Sequence, residues 1–150
     1  MQPGLARQQA GTRPSRPLPY ALQVQARTDG KRVALRFENS GTAAAVLHVY
    51  DRLNLERGPR RYTVEAGKQL EDAWTASADD GRYDIWVLGP NGFHRHCTGR
   101  GGQPPLEVTA ACPGPGAALR LTLRNPAGQA RSFRVEANAY DHPRQADTPL

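Results

Sequence analysis

The stretch GRYDIWVLGPNGFHRHC, residues 81–97, contains two strand-like segments on either side of a Gly-Pro-Asn-Gly turn. Proline fixes φ at the turn and Asn-Gly accepts positive φ, so the second segment is expected to return antiparallel to the first. The first segment has two largely apolar faces, which predicts a central strand covered by protein on both sides. Its residues alternate between Tyr83, Ile85 and Val87 on one face and Asp84, Trp86 and Leu88 on the other.

The residues before this hairpin are also typical of short strands. Runs of alternating apolar residues are separated by turn signals such as Asp29-Gly30, Asn39-Ser40-Gly41 and Ala66-Gly67, and no segment has apolar residues at helical spacing. Seven short strands predict an all-β fold, an antiparallel immunoglobulin-like β-sandwich spanning residues 20–99. The five strands before the hairpin are expected within residues 20–26, 33–37, 45–51, 62–64 and 70–74.

The two ends of the chain differ from this module. Residues 1–19 are rich in proline, arginine and glutamine and have no apolar periodicity, which predicts a linker. After a glycine-rich joint at residues 99–102 the apolar pattern of the first three strands recurs, so residues 103–150 are predicted to be a partial second repeat. Three strands cannot bury an apolar face alone, so this part is expected to pack on the first module, dimerise or remain mobile. The recurring residues are Leu106 and Val108 (like Leu22 and Val24), Leu119 to Asn125 (like Val33 to Asn39) and Phe133 to Tyr140 (like Val46 to Tyr50).

Length and charge limit the classes of protein. A chain of 150 residues can bury one core without a metal or disulfide. No apolar run approaches the roughly 20 residues of a membrane-spanning helix, and we expect any export signal to lie upstream of Met1. The net charge of +6, from 20 Lys and Arg against 14 Asp and Glu, favours approach to anionic surfaces, although surface charge also serves solubility. The aromatic residues do not have the pattern of a single-strand nucleic-acid platform, so no nucleic-acid partner is expected.

The residues that could carry chemistry do not form a recognisable reaction centre. The sequence has no nucleophile elbow, no P-loop and no dinucleotide-binding fingerprint. His94 and His96 lie two apart on a predicted strand and therefore on one face, but Asp51, Asp72 and His48 are further metal ligands only by residue type. We therefore expect no catalytic residue, no metal site and no cofactor in this chain.

The two cysteines, Cys97 and Cys112, leave two alternatives open. A secreted location would allow a disulfide that closes the loop between them, contributing about 3 kcal/mol in the chain-entropy model. A free, buried thiol at Cys97 is the other possibility.

Several stretches resemble a known family. The segment RRYTVEAG (residues 60–67), Trp74 and the run GRYDIWVLGPNGFHRH (residues 81–96) are similar to the C-terminal non-catalytic module of large bacterial secreted phospholipases C, over roughly residues 10–140. The resemblance implies a phosphatase-like catalytic domain upstream, followed by two related β modules. It also implies a secreted or periplasmic parent that hydrolyses phosphatidylcholine-type or sphingomyelin-type lipids to a diglyceride or ceramide. Cys97 stands where the family pattern has an aromatic residue, which counts against a conserved bridge.

One loop is the best candidate for contact with a partner. Residues 52–61, RLNLERGPRR, combine four arginines with Leu53 and Leu55. Arginine forks match phosphate oxygens, so Arg57, Arg60 and Arg61 are candidates for contact with phospholipid headgroups or the catalytic domain. The alternative is a solvated connection whose leucines cap the core.

Two functions therefore compete. The favoured one is a non-catalytic module that supports the parent catalytic domain or binds an anionic or zwitterionic phospholipid surface. The alternative is an independent carbohydrate-binding or adhesion-type sandwich, in which Trp74, Trp86 and Tyr83 would form a stacking surface.

Overall fold

Antiparallel strands make up almost all of the regular structure. The computed structural model describes residues 11, 18–28, 31–76, 79–100, 107–111, 118–125, 129–136 and 148–149. These residues contain strands and two short 3₁₀ turns, Leu55–Arg57 and Pro90–Gly92, and no α-helix, which confirms the all-β prediction. Most of the predicted linker, residues 1–19, lies outside the described residues, as does the predicted Asp29-Gly30 turn.

The first seven strands form two sheets. The three-stranded sheet has the order β1-β2-β5 and the four-stranded sheet has the order β4-β3-β6-β7, with every neighbouring pair antiparallel. The arrangement is immunoglobulin-like, with β4 on the edge of the second sheet, whereas the fourth strand of a constant-type domain stays in the first sheet. The strands are β1 (Leu22–Thr28), β2 (Arg32–Asn39), β3 (Ala45–Asp51), β4 (Arg60–Val64), β5 (Lys68–Thr75), β6 (Arg82–Leu88) and β7 (His94–Arg100).

A single hydrophobic core lies between the two sheets. Strands β1 to β6 contribute inward-facing residues to it, as expected for sheets packed face to face with one face of each turned to solvent. Phe37 and Leu35 of β2 pack with Leu47 of β3 and Ile85 of β6, and all four side chains are fully buried. The predicted antiparallel sandwich is therefore the observed architecture.

The hairpin at the centre of the sequence pattern is formed by β6 and β7. Its register pairs Ile85 with Cys97 and Trp86 with His96, and Asn91 in the turn has the left-handed φ of 55° that its residue type permits. The prediction that both faces of β6 are covered is wrong. Ile85 and Val87 are buried, whereas Leu88 on the opposite face is exposed and Trp86 is only partly buried.

Asn39 connects the two sheets at one end of the sandwich. Its side chain is fully buried, and its Nδ2 donates to the carbonyl oxygens of Ala43 (2.8 Å) and Val64 (3.1 Å). Its Oδ1 accepts from the backbone N–H of Gly41 at 3.0 Å. Gly41 must lack a side chain, because a Cβ there would lie 2.2 Å from the carbonyl oxygen of Pro19.

The remaining described residues form two further strand pairs. Strands β8 (Glu107–Ala111) and β9 (Arg120–Arg124) make an antiparallel hairpin, and β10 (Ser132–Phe133) pairs with β11 (Thr148–Pro149). Residues 101–106, 112–117 and 137–147, which include the second half of the glycine-rich joint, Cys112 and the predicted match to Tyr50, lie outside the described residues. The first half of the joint, residues 99–100, is the end of β7.

Candidate functional site

The loop after β3 is organised by one carboxylate. Asp51 accepts hydrogen bonds from the backbone N–H of Leu53 (3.1 Å) and from Asn54 Nδ2 (3.0 Å), and forms an ion pair with Arg57 at 3.8 Å. The 3₁₀ turn that follows leaves Leu53 exposed and Leu55 62% exposed. The alternative in which these leucines cap the core is therefore wrong.

The three arginines predicted to contact a partner do not lie together. Arg57 is exposed on the loop and pairs with Asp51, while Arg60 and Arg61 are neighbours in β4 and point to opposite faces of its sheet. Arg61 is exposed on the outer face, opposite His48 of β3.

Arg60 belongs to a network that joins the edge of one sheet to the edge of the other. Its guanidinium donates to Asp72 (3.0 Å) and to the carbonyl oxygen of Ala73 (3.1 Å), and stacks on the ring of Trp74 at 4.6 Å. Tyr62 donates its hydroxyl proton to the same Asp72 carboxylate at 2.5 Å. The network therefore connects β4 to β5 on one side of the sandwich.

This network changes the acidity of its members. Burial, together with the hydrogen bond to Asp72, raises the pKa of Tyr62 to about 12. The hydrogen bond from Tyr62 is the main cause that lowers the pKa of Asp72, and the Arg60 guanidinium acts in the same direction. Both residues thus keep their protonation states over the range from mildly acidic to mildly alkaline pH.

The outer face of the four-stranded sheet carries a group of residues that we call the Trp86 cluster: Arg52, Asp84, Trp86, His94 and His96. The Arg52 guanidinium lies 4.3 Å from the centre of the Trp86 ring, and both histidine rings meet that ring edge-on at 5.8 and 5.9 Å. Asp84 pairs with Arg52 at 3.2 Å and with His96 Nε2 at 2.8 Å. Trp86 Nε1 is buried and has no hydrogen-bond partner in the described part of the chain.

The cluster continues across neighbouring strands. Cross-strand pairing places Tyr50 beside Trp86, and His48 between Arg61 and Leu88. Val46 at the end of the same row of β3 is exposed. The outer face therefore combines aromatic, aliphatic and cationic side chains, and Asp84 is already paired with Arg52 and His96. The sequence analysis did not predict this exposed face, because it placed a covering layer over β6. Asp84 in β6 and the two histidines in β7 were polar signals against such a layer.

The histidine pair lies where the strand pattern predicts. His94 and His96 are both exposed on the outer face, and their ring centres are 6.4 Å apart. Among the described residues, no group of three or more histidine, cysteine, aspartate or glutamate side chains is placed to hold a metal ion. Asp72, one of the candidates by type, lies on the other sheet.

The stacking surface predicted for a carbohydrate-binding protein is wrong. Trp74 is 7% exposed and faces the core, Tyr83 is half-buried on the inner face of β6, and Trp86 points outward. No sugar could therefore contact all three rings at once.

Cys97 is a free thiol on the half-buried side of β7. Burial raises its pKa, which outweighs the opposite effect of the nearby Arg95. Its predicted partner Cys112 lies outside the described residues.

These features define the class of the molecule, an immunoglobulin-like β-sandwich module with a mixed aromatic and cationic face. Residues 14–100 match the family model described as bacterial phospholipase C, C-terminal domain. The chain therefore belongs to this family, and the resemblance inferred from the sequence is confirmed. In the described part of the chain, no helix is both long and apolar enough to cross a membrane.

Two curated relatives are each similar to about 60% of the chain. A protein named non-hemolytic phospholipase C from Pseudomonas aeruginosa is 46% identical over 93 residues, which is 61% of this chain and 13% of that protein. One of the same name from Burkholderia pseudomallei is 43% identical over 91 residues, or 59% of this chain and 13% of that protein. The chain thus spans only a small part of the length of these relatives.

Proposed function

We propose that this chain is a non-catalytic C-terminal module of an exported bacterial phospholipase C, and that it holds the catalytic domain of the parent at a phospholipid surface. The family match and the names of the two relatives support a phospholipase parent. The parent substrates would be phosphatidylcholine-type or sphingomyelin-type lipids, and its site of action would be extracellular or periplasmic.

The observation that carries the surface role is the composition of the outer face around Trp86. Tryptophan and tyrosine favour the boundary between headgroups and acyl chains, because each has an apolar ring and a polar group. Arginine pairs with phosphate oxygens, and exposed aliphatic side chains can enter the upper acyl region. Trp86, Tyr50, Arg61 and Leu88 provide all three kinds of group on one sheet face.

The predicted arginines contribute to this proposal in different ways. Arg61 lies on the outer face, and Arg57 lies on the adjacent loop beside the exposed Leu55. Arg60 is tied to Asp72 and Trp74, so its contribution is to hold β4, and with it Arg61, in position.

The proposal is tested by partitioning of the protein onto vesicles at low salt. Vesicles of phosphatidylcholine mixed with phosphatidylglycerol are compared with phosphatidylcholine alone. One arginine near an anionic membrane contributes about 1 kcal/mol, so Arg61→Ser should weaken partitioning about fivefold. Trp86→Ala should weaken partitioning to both kinds of vesicle.

Lys68→Ser provides the matched control, because Lys68 is an exposed cation on the three-stranded sheet. Equal loss in Arg61→Ser and Lys68→Ser would indicate attraction by net charge alone and would contradict a specific surface. Unchanged partitioning of Trp86→Ala would contradict it as well.

We also propose that residues 103–150 are the beginning of a second repeat. In the first module Val24 pairs with Phe37, and in the β8–β9 hairpin Val108 pairs with Leu123, which is the register expected if the two hairpins correspond. Asn125 Nδ2 donates to the carbonyl oxygen four residues later at 2.8 Å, as Asn39 Nδ2 does in the first module.

A further inference from the structure

A cleft of about 720 Å³ lies between the sandwich and the β8–β9 hairpin. On the sandwich side it is bounded by β1 and β7, which are the edge strands of the two sheets. The hairpin is fixed beside β1 by the amide group of Gln23, which donates to the carbonyl oxygen of Ala110 and accepts from its N–H at 3.4 Å. An ion pair between Arg27 and Glu107 at 2.8 Å adds a second attachment.

Apolar side chains contribute to both walls of the cleft. Val24 and Ala26 of β1 contribute to one wall, and Val108, Leu119 and Leu121 of the hairpin contribute to the other. The hairpin side chains are exposed, with Leu119 exposed to 65%. Apolar side chains gathered on one exposed face mark a binding surface more often than isolated ones do.

The charged residues that line the cleft are all cationic. Arg95, Arg100 and Arg131 contribute to its lining, and no described aspartate or glutamate does so. The cleft therefore complements a ligand that has an apolar body and a negative charge. Its volume is within the range of small-molecule sites, about 300–1,000 Å³.

Uncharged polar residues also line the cleft, among them Tyr83 and Cys97. The ring of Tyr83 lies against Gly99, where an added Cβ would be 2.5 Å from the tyrosine hydroxyl. The thiol of Cys97 lies in the same wall. A hydroxyl and a thiol beside apolar side chains can orient a headgroup, and the thiol provides a chemical probe of occupancy.

We propose that this cleft binds a single-chain anionic amphiphile, a molecule with one acyl chain and a carboxylate or phosphate head. The acyl chain lies between β1 and the hairpin, where it covers Val108, Leu119 and Leu121, and the head pairs with an arginine of the lining. Of the Trp86 cluster only His96 also lines the cleft. The inference depends on the cleft and not on the other members of that cluster.

The first test measures binding of oleate to the whole chain, below the micelle concentration, by displacement of a fluorescent fatty acid. Leu121→Gln should weaken binding about tenfold, because a polar side chain replaces an apolar one in the wall. Leu55→Gln, the same change on the distant loop, is the matched control and should have no effect. Arg95→Gln should weaken binding of oleate but not of oleyl alcohol, which lacks the charge.

The second test measures the rate at which iodoacetamide alkylates Cys97 in a Cys112→Ser background. Saturating oleate should slow this reaction at least about tenfold, and dihexanoyl phosphatidylglycerol, whose two chains are short, should not. An unchanged rate, or equal loss of oleate binding in Leu121→Gln and Leu55→Gln, would overturn the proposal. So would sedimentation showing a dimer in which Cys97 is protected without oleate, because a second copy would then occupy the cleft. Failure of the native chain to partition onto vesicles, with intact oleate binding, would contradict only the surface proposal.

Discussion

At the scale of the residue, Asn39 shows how one buried amide can join two sheets. Its hydrogen bonds satisfy backbone groups of Gly41 and Ala43 in the β2–β3 loop, which are partly buried, and of Val64 in β4, which is buried. Asn39→Ala would leave these groups unpaired, at about 1–3 kcal/mol for each buried group. We therefore expect the free energy of unfolding, measured with a chemical denaturant, to fall by about 2–4 kcal/mol.

The corresponding substitution after the β8–β9 hairpin provides a comparison within the same chain. Asn125 makes the same local hydrogen bond to the carbonyl oxygen of Gln129, but it is less buried than Asn39. Asn125→Ala should therefore reduce stability by less than about 1 kcal/mol. Comparable losses in the two variants would show that burial of Asn39 is not the reason for its effect.

The Tyr62–Asp72 hydrogen bond predicts an alkaline dependence of stability. The folded-state pKa of Tyr62, about 12, lies above the ordinary value of 10.0, so the phenol stays neutral in the folded protein while it ionises in the unfolded chain. The stabilisation is complete below pH 10 and is lost as the pH rises toward 12. Between these pH values the midpoint temperature of thermal unfolding should therefore fall more steeply in the native chain than in Tyr62→Phe.

Tyr50→Phe is the control for this experiment, because Tyr50 lies on the outer face and away from Asp72. Its alkaline profile should match that of the native chain. A Tyr62→Phe profile as steep as the native one would show that the hydrogen bond to Asp72 does not control the ionisation of Tyr62.

At the scale of the residue, the sequence predicts backbone conformations well and the contacts of individual side chains poorly. Asn91 in the β6–β7 turn has the predicted left-handed backbone because that preference is local. The roles of Arg60 and Arg61 could not be separated in the same way. Their opposite environments depend on Asp72 and His48, which belong to strands whose pairing the chain does not encode locally.

At the scale of the element, alternation predicts where strands lie but not what covers them. Two environments fit the pattern of β6 equally well: burial on both faces, or an outer face partly covered by long side chains. Arg52 lies over Trp86 and shields the ring, so the outer face looks apolar in sequence while having no covering layer among the described residues. The strand was therefore predicted correctly and its outer environment was not.

At the scale of the whole molecule, the attachment of the β8–β9 hairpin determines whether the cleft exists. The recurring sequence pattern predicts strands in residues 103–150, but the position of the β8–β9 hairpin beside β1 depends on the side chain of Gln23 and on the Arg27–Glu107 ion pair. Such contacts join residues far apart in the chain and produce no periodic pattern in the sequence. The sequence therefore could not decide whether residues 103–150 pack on the first module, dimerise or remain mobile.

The Gln23 attachment gives a prediction for hydrogen exchange. Gln23→Ala removes both hydrogen bonds to Ala110, each contributing about 1 kcal/mol, so protection of the Ala110 amide should fall at least about tenfold. Amides of β2 and β3 should keep their protection, because the sandwich core does not involve this contact. Gln25→Ala, two residues along the same face of β1, is the control and should leave Ala110 protected. If Ala110 were equally protected in both variants, the hairpin would be held by its apolar contacts and the Arg27–Glu107 ion pair, and the cleft would remain without Gln23.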